Sequence, residues 1–374
     1  MEKLRILLLN ASAIYGGGEF YVLQLAGELK NRGHYIIVGC RSDNLLFEKC
    51  KNEGISVEHI GFGENGSKRL LRNINRIKKI CKSNSIDIVH TNTGIDRTAG
   101  AAAAKRSGAK HVTSCHSLVT IQRNITHYIR NKYMTDAIIA DGVTIKQLLA
   151  DKDKISDDKV HIINNGILPD KYKRNTALRK RIRESFGIRE NEIVIGNTAR
   201  LVYFKGHKYL LTAFADVKEK FTNAKILLIG DGELMEELKN YSAMLNISGN
   251  VIFAGFRDDL GDVYSAIDIY VQPSVEGGGE LVPFTILYAM AQGLPVIAAN
   301  IGDIPYMVDD GKTGFIINEK SPYSISEKLG LLINDAGLRQ KLGTAGFEKL
   351  LNEFTVDKMA DKTEKLYYQL CGIS

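Results

Sequence analysis

Four places in this chain of 374 residues combine residue types and spacings that suit chemistry on a phosphate. Arg200 follows the apolar strand pattern Ile193–Asn197, and Lys205-Gly206-His207 opens the next helical pattern. Two cations on one strand-to-helix loop can converge on one anion, the guanidinium as a planar fork and the ammonium as a point charge. The second place is QPSVEGGGELVPFTILYAMAQ, Gln272–Gln292, after the apolar run Ile267–Val271. It turns at Pro273-Ser274, passes three glycines (Gly277–Gly279) and reaches Glu280. A helical pattern starts near Leu281 with Pro283 in its first turn, where a missing N–H costs nothing. Phe284, Leu287 and Met290 are spaced to share its buried face. A helix start offers unpaired N–H groups and a partial positive charge, which suit a phosphate. The third place is Tyr15-Gly16-Gly17-Gly18-Glu19, at the first strand-to-helix turn, where glycines let backbone N–H groups approach an anion. The fourth is His116, at the end of the strand pattern His111–Cys115; His90 and Asp96 hold comparable places. A lone side chain of either type serves structure as readily as chemistry.

Two other matches carry less. Gly61-Phe62-Gly63-Glu64-Asn65-Gly66 fits GxGxxG but follows the third strand rather than the first, and lacks the later acidic residue in its expected setting. Asp151-Lys152-Asp153 has the DxD spacing of a metal motif but no apolar strand before it. It reads as a solvated helix end, and no metal is expected.

The elements that must position these residues alternate between strand and helix along the chain. Such alternation predicts an α/β fold with mainly parallel sheets covered on both faces. The length predicts two domains. Asn164–Thr176 loses periodicity and reads as the linker between them, dividing an N-terminal domain, 1–168, from a second series of strands and helices, 169–354. Two doubly wound halves imply a ligand cleft at the carboxyl ends of their strands.

Composition narrows the class. With 44% hydrophobic and 25% charged residues the chain reads as soluble and globular. No apolar run reaches the ~18 residues of a membrane span, and Ile6–Leu9 is too short for a signal peptide. Five scattered cysteines without a CxxC pair point to reduced thiols in a cytoplasm. A net charge of +7 is mild for a dedicated nucleic-acid binder, and no nucleic-acid partner is expected. The segment 68–82 carries Lys68, Arg69, Arg72, Arg76, Lys78, Lys79 and Lys82, with Leu70, Leu71, Ile74, Ile77 and Ile80 assigned to an opposing face. That charge density points to anionic lipid headgroups or an acidic acceptor.

Taken together, these residues resemble the retaining nucleotide-sugar glycosyltransferases of family 4, which have the GT-B architecture of two Rossmann-like domains. The likeness is carried by Gly16–Glu19, His116-Ser117, Asn165-Gly166-Ile167, Ala199-Arg200-Leu201, Lys205-Gly206-His207, Gly230-Asp231-Gly232, Gly255-Phe256, Pro273-Ser274, Ala289-Met290-Ala291, Gly293–Val296 and Asp310-Gly311 with Gly314. It runs over nearly the whole chain, and its C-terminal set is the more specific. It implies that a terminal helix, 355–374, packs back on the N-terminal domain.

The resemblance also implies roles. Arg200 and Lys205 would hold the donor diphosphate, and the loop Gly16, Gly17, Gly18 would close on it. Phe256 would lie beside the nucleobase. Glu280 would bind the sugar hydroxyls, the amides of Phe284 and Thr285 would face the phosphates, and His116 would lie near the reacting centre. One departure is Tyr288, where the family places a second glutamate that binds the ribose; a bidentate carboxylate contact is lost there. The expected activity is metal-independent, retaining hexosyl transfer from a nucleotide-diphospho-sugar, a co-substrate rather than a cofactor. The acceptor would be a glycan or lipid-linked sugar in bacterial surface polysaccharide or lipopolysaccharide synthesis, met in the cytoplasm or at the inner face of the cell membrane. A non-catalytic nucleotide-sugar-binding module and a GT-B sugar-nucleotide epimerase are the alternatives.

Overall fold

In a computed structural model, residues 2–63, 68–277 and 280–373 are described. The chain divides into two compact units, Met1–Gly166 with Val356–Ser374, and Ile167–Thr355. The stretch read as a linker is only partly one. Ile167 is buried and bridges to Thr355, and a 3-10 turn, Pro169–Tyr172, follows it inside the second unit.

The first unit holds seven parallel strands: β1 (Arg5–Asn10), β2 (Tyr35–Cys40), β3 (Ser56–His59), β4 (Ile88–Thr91), β5 (Lys110–Cys115), β6 (Ala137–Ala140) and β7 (Val160–Ile162), in the order β3-β2-β1-β4-β5-β6-β7. Helices cover both faces, so the central strands are continuously apolar. Ile6, Leu7, Leu8 and Leu9 of β1 are all buried. The terminal helix Val356–Cys371 belongs to this unit. Arg32, at the end of the helix Gly17–Asn31, holds it through Asp357, Asp361 and Glu364, and His34 adds a 2.7 Å contact to Glu364.

The second unit holds six parallel strands: β8 (Ile193–Thr198), β9 (Ala224–Ile229), β10 (Val251–Phe253), β11 (Ile269–Gln272), β12 (Val296–Ala299) and β13 (Gly314–Ile317), in the order β10-β9-β8-β11-β12-β13. In each sheet the winding reverses once, between β1 and β4 and between β8 and β11. At such a reversal the flanking helices leave toward opposite faces, and the loops beyond the strand ends frame a ligand crevice.

Three expectations change. Leu70 and Leu71 do not oppose the cations of the helix Arg69–Ser83. Burial starts only at Asn73, so the first turn leaves both leucines exposed beside Arg69 and Arg72. Asp153 is not solvated either; it is buried, and its carboxylate accepts the backbone N–H groups of Ile121 (2.7 Å) and Gln122 (3.3 Å). The helix after Glu280 starts at Phe284, later than the sequence pattern predicts, because Pro283 has extended geometry. Glu64–Ser67, within and just after the GxGxxG match, and Gly278-Gly279 lie outside the described residues.

Candidate functional site

The reversal between β8 and β11 brings Lys205 and Glu280 together. β8 feeds a short turn, Tyr203–Lys205, and Gly206 begins the next helix at φ +73°. A side chain at Gly206 would put its Cβ 1.9 Å from the Pro273 carbonyl oxygen, so the loops after β8 and β11 touch through bare backbone. Val275 N–H donates to the Phe204 carbonyl (2.8 Å) across the same contact. This seam sets the Lys205 ammonium against Glu280 Oε1, where the two form an ion pair.

Glu280 is 7% exposed, and its surroundings fix its orientation. Gln272 Oε1 accepts the Tyr270 hydroxyl (2.7 Å) and the Thr285 hydroxyl (3.3 Å), so the amide nitrogen must point the other way. Gln272 Nε2 donates to Ser274 Oγ (2.9 Å) and to Glu280 Oε1 (3.1 Å), and Ser274 Oγ donates to the same carboxylate oxygen (2.7 Å). All three donors fall on Oε1. No described residue hydrogen-bonds to Oε2, which is left as a fixed acceptor for a hydroxyl. The signal for Gln272 and Ser274 was their place at the end of β11; their network depends on rotamers the sequence does not carry.

The other cation stays at the surface. Arg200 is exposed, with its guanidinium 5.9 Å from the centre of the Phe204 ring, while the Lys205 ammonium is 5.5 Å from the same ring. Phe204, which the sequence reading did not single out, therefore spaces the two charges. His207, next to Lys205, is buried with both ring nitrogens unpartnered; burial and then the Lys205 charge hold it neutral, down to about 4. Phe256 follows β10 and is 79% exposed, a bare aromatic face on the strand-end side of the sheet.

Phe284 and Thr285 form the first turn of the helix Phe284–Ala291. Tyr288 turns inward instead, stacked on Tyr172 (ring centres 4.2 Å apart) and edge-on to Tyr264 (5.9 Å). Tyr172 comes from the turn that opens the second unit.

In the first unit, His116 leaves the end of β5, and its Nδ1 lies 2.9 Å from Asp141 Oδ2. Asp141 follows β6, and Asn165 Nδ2, after β7, donates to the same oxygen (3.0 Å). A carboxylate only accepts, so Nδ1 carries a proton and donates it to Asp141. Nε2 is buried without a partner. The Tyr21 ring supports the imidazole at 4.5 Å. Asp141 was missed because it meets His116 only where β5 and β6 lie side by side. His90 and Asp96 are structural. His90 bonds Tyr367 (2.6 Å) and Ser114 (2.7 Å), and Asp96 collects the N–H groups of Ala11 and Thr93.

Gly16 and Gly17 begin the helix Gly17–Asn31, with Glu19 folded back onto the Gly16 N–H (2.8 Å) and held by Asn10 (2.9 Å). A Cβ at Gly18 would meet nothing within 4 Å. Gly18→Ala is therefore expected to keep or raise the melting temperature, by the ~0.5–1 kcal/mol that alanine adds over glycine in a helix, and to weaken an anion that approaches this loop about tenfold, on the order of one lost close contact. Unchanged anion binding with raised stability would show that nothing approaches this loop.

Two family models match the chain, Glycosyltransferase Family 4 over residues 15–171 and Glycosyl transferases group 1 over 179–349. The crystal structure of a glycosyltransferase from Rickettsia africae ESF-5 superposes with a TM-score of 0.90, at 24% identity and full coverage of both chains. The uncharacterized glycosyltransferase MJ1607 of Methanocaldococcus jannaschii is 29% identical over 63% of this chain and 60% of its own length. The UDP-Gal:alpha-D-GlcNAc-diphosphoundecaprenol alpha-1,3-galactosyltransferase of Escherichia coli is 26% identical over 80% of this chain and 82% of its own. The fold is that of the GT-B glycosyltransferases. The chain belongs to the family 4 glycosyltransferases.

Proposed function

We propose that this protein is a retaining, metal-independent hexosyltransferase that moves a sugar from a nucleotide-diphospho-sugar to a glycan or lipid-linked acceptor in surface polysaccharide synthesis. The observation that carries the reading is the part-buried Lys205–Glu280 pair at the winding reversal of the second sheet, with one carboxylate oxygen anchored and the other open.

Each group has a role in that reaction. Glu280 Oε2 accepts a sugar hydroxyl. Arg200, the Lys205 ammonium and the first amides of the helix Phe284–Ala291 face the diphosphate. Phe256 stacks on the base. As the bond from the anomeric carbon to the phosphate oxygen breaks, the leaving diphosphate gains negative charge. Fixed cations and a helix start stabilise that charge more in the transition state than in the bound donor. The acceptor oxygen bonds to the anomeric carbon on the face the diphosphate leaves, and its proton passes to the departing phosphate oxygen. This gives retention without a carboxylate nucleophile. Two cations already meet the diphosphate, which is why no metal is required.

A thermal-shift comparison of UDP, GDP, ADP and dTDP tests the donor, since a ligand that binds the native chain raises its melting temperature. UDP is expected to give the largest shift, as the Escherichia coli relative is named for UDP-Gal. No shift with any nucleotide would remove the reading. Among the described residues no helix is long and apolar enough to cross a membrane. The cationic helix Arg69–Ser83 with Leu70 and Leu71 exposed suits a peripheral contact at the inner membrane face. Flotation with phosphatidylglycerol vesicles but not with neutral ones is expected, and failure to float at low salt would eliminate the contact.

A further inference from the structure

A cavity of about 350 Å³ opens in the second unit where the helix His207–Lys220 begins. The size falls within the roughly 300–1,000 Å³ usual for small-ligand sites. It is distinct from the candidate transfer site, because Arg200, Lys205, Glu280 and Phe256 take no part in its wall. Tyr203 lines it, while Lys205, two residues on in the same turn, pairs with Glu280. The helix Met235–Met244 contributes Glu237 and Tyr241.

The wall offers aromatic faces and no net charge. Tyr203, Tyr209 and Tyr241 all line it, and Tyr203 is 63% exposed. Its two charged groups, Lys208 and Glu237, form an ion pair with each other. Their charges cancel, so the wall draws in neither anion nor cation. The hydroxyls are ordered. Thr212 Oγ1 donates to the Lys208 carbonyl (2.9 Å), so the Tyr241 hydroxyl, 2.8 Å away, must be the donor to Thr212. That leaves the Tyr241 oxygen as an acceptor.

His207 also lines the cavity. It is 2% exposed, yet no described residue hydrogen-bonds to either ring nitrogen. Burial and then the Lys205 charge keep the ring neutral. A neutral imidazole has one donor nitrogen and one acceptor nitrogen. Leaving both unmet in a buried place is costly, so the ring marks a position for a group that both donates and accepts. A hydroxyl does both; a carboxylate or an ionised phosphate only accepts.

These features select one class of ligand. The face of an aromatic ring is the negative side of its quadrupole and favours C–H groups laid against it. A ring with an apolar C–H face and a rim of hydroxyls is a pyranose. We propose that this cavity is a second saccharide site, which binds one uncharged sugar unit of a glycan with its C–H face on Tyr203 or Tyr241 and its hydroxyls on His207. Such a site is separate from the transferase reading: it would hold a sugar whether or not the chain transfers one.

The test is saturation-transfer NMR on the full chain, titrated with the methyl glycosides of glucose, galactose, mannose and N-acetylglucosamine. At least one is expected to bind, with transfer strongest to the C–H protons of one ring face. Tyr203→Ala removes an exposed ring and should weaken that glycoside about tenfold, the scale of one aromatic contact. His207→Phe removes two unpaired buried nitrogens, so its melting temperature is expected to hold or rise while the glycoside binds more weakly. Glu280→Gln should leave the glycoside affinity within twofold. Glucose 1-phosphate, the charged control, should bind no tighter than methyl glucoside. Binding by none of the four glycosides overturns the proposal. So does a loss of binding in Glu280→Gln with none in Tyr203→Ala, which would put the sugar at the transfer site instead. Adenosine binding that depends on Tyr203 and exceeds that of every glycoside would make the cavity a site for planar rings and overturn it as well. Failure of the transferase reading shows separately, as absence of UDP binding; where UDP binds, Tyr203→Ala should leave its affinity within twofold.

Discussion

Replacing Lys205 with alanine is expected to slow sugar transfer by roughly 10²–10³-fold, the cost of removing one fixed donor from a developing oxyanion. The loss should fall mainly on kcat, because the diphosphate gains its full charge only as the glycosidic bond breaks. The ammonium also holds Glu280 in place. Without it, Oε1 keeps Gln272 and Ser274 but loses its counter-charge. Lys205→Arg keeps the charge and is expected to recover part of the rate, although a planar fork does not reproduce a point charge in a site this close. Rates of nucleotide release from a UDP-sugar, with and without acceptor, measure both variants. Turnover of the alanine variant within threefold of the native chain would contradict the assignment.

The second large effect lies at a residue with no chemistry of its own. Gly302 sits at φ +53°, and a Cβ there would stand 1.7 Å from the Glu280 carbonyl oxygen. Gly302→Ala adds about 1–2 kcal/mol of left-handed backbone strain and forces the segment bearing Glu280 to move. A total of about 3–4 kcal/mol is expected, in the range of backbone strain combined with overpacking. Gly255→Ala is the control. Gly255 has φ +68° but nothing within 4 Å of its would-be Cβ, so only the strain remains. Gly302→Ala should melt well below Gly255→Ala and weaken donor binding. Equal melting temperatures for the two variants would mean that Gly302 does not set the position of Glu280.

Much of the site was legible because alternating apolar runs fix where strands end, and Arg200, Lys205, Glu280 and His116 all lie just past such ends. The pairing of Lys205 with Glu280 was not legible. It depends on β8 lying beside β11, a matter of strand order that periodicity leaves open. Asp141 was hidden for the same reason: it meets His116 only because β5 and β6 are neighbours. The cationic helix shows the limit of pattern reading. Leu70 shares a stripe with Ile74 and Ile77 by spacing, but whether a stripe is covered along its whole length depends on where the underlying elements stop.

Tyr288 shows another side of the same problem. The sequence marked it as a departure from the family pattern, with the bidentate carboxylate contact to the ribose lost. The structure shows a buried ring stacked on Tyr172 and flanked by Tyr264 and Phe284. A carboxylate placed there would lose this aromatic packing, so Tyr288→Glu would test stability together with nucleotide affinity.

The most direct measurement of the central claim, that Lys205 and its surroundings hold a nucleotide diphosphate, is calorimetric titration of UDP and of uridine into the native chain and Lys205→Ala. UDP is expected to bind the native chain and to lose about tenfold or more in affinity in the variant, the scale of one charge-assisted hydrogen bond. Uridine, which lacks the phosphates, should bind both chains equally. Equal UDP affinity in the two chains would place the diphosphate somewhere other than Lys205.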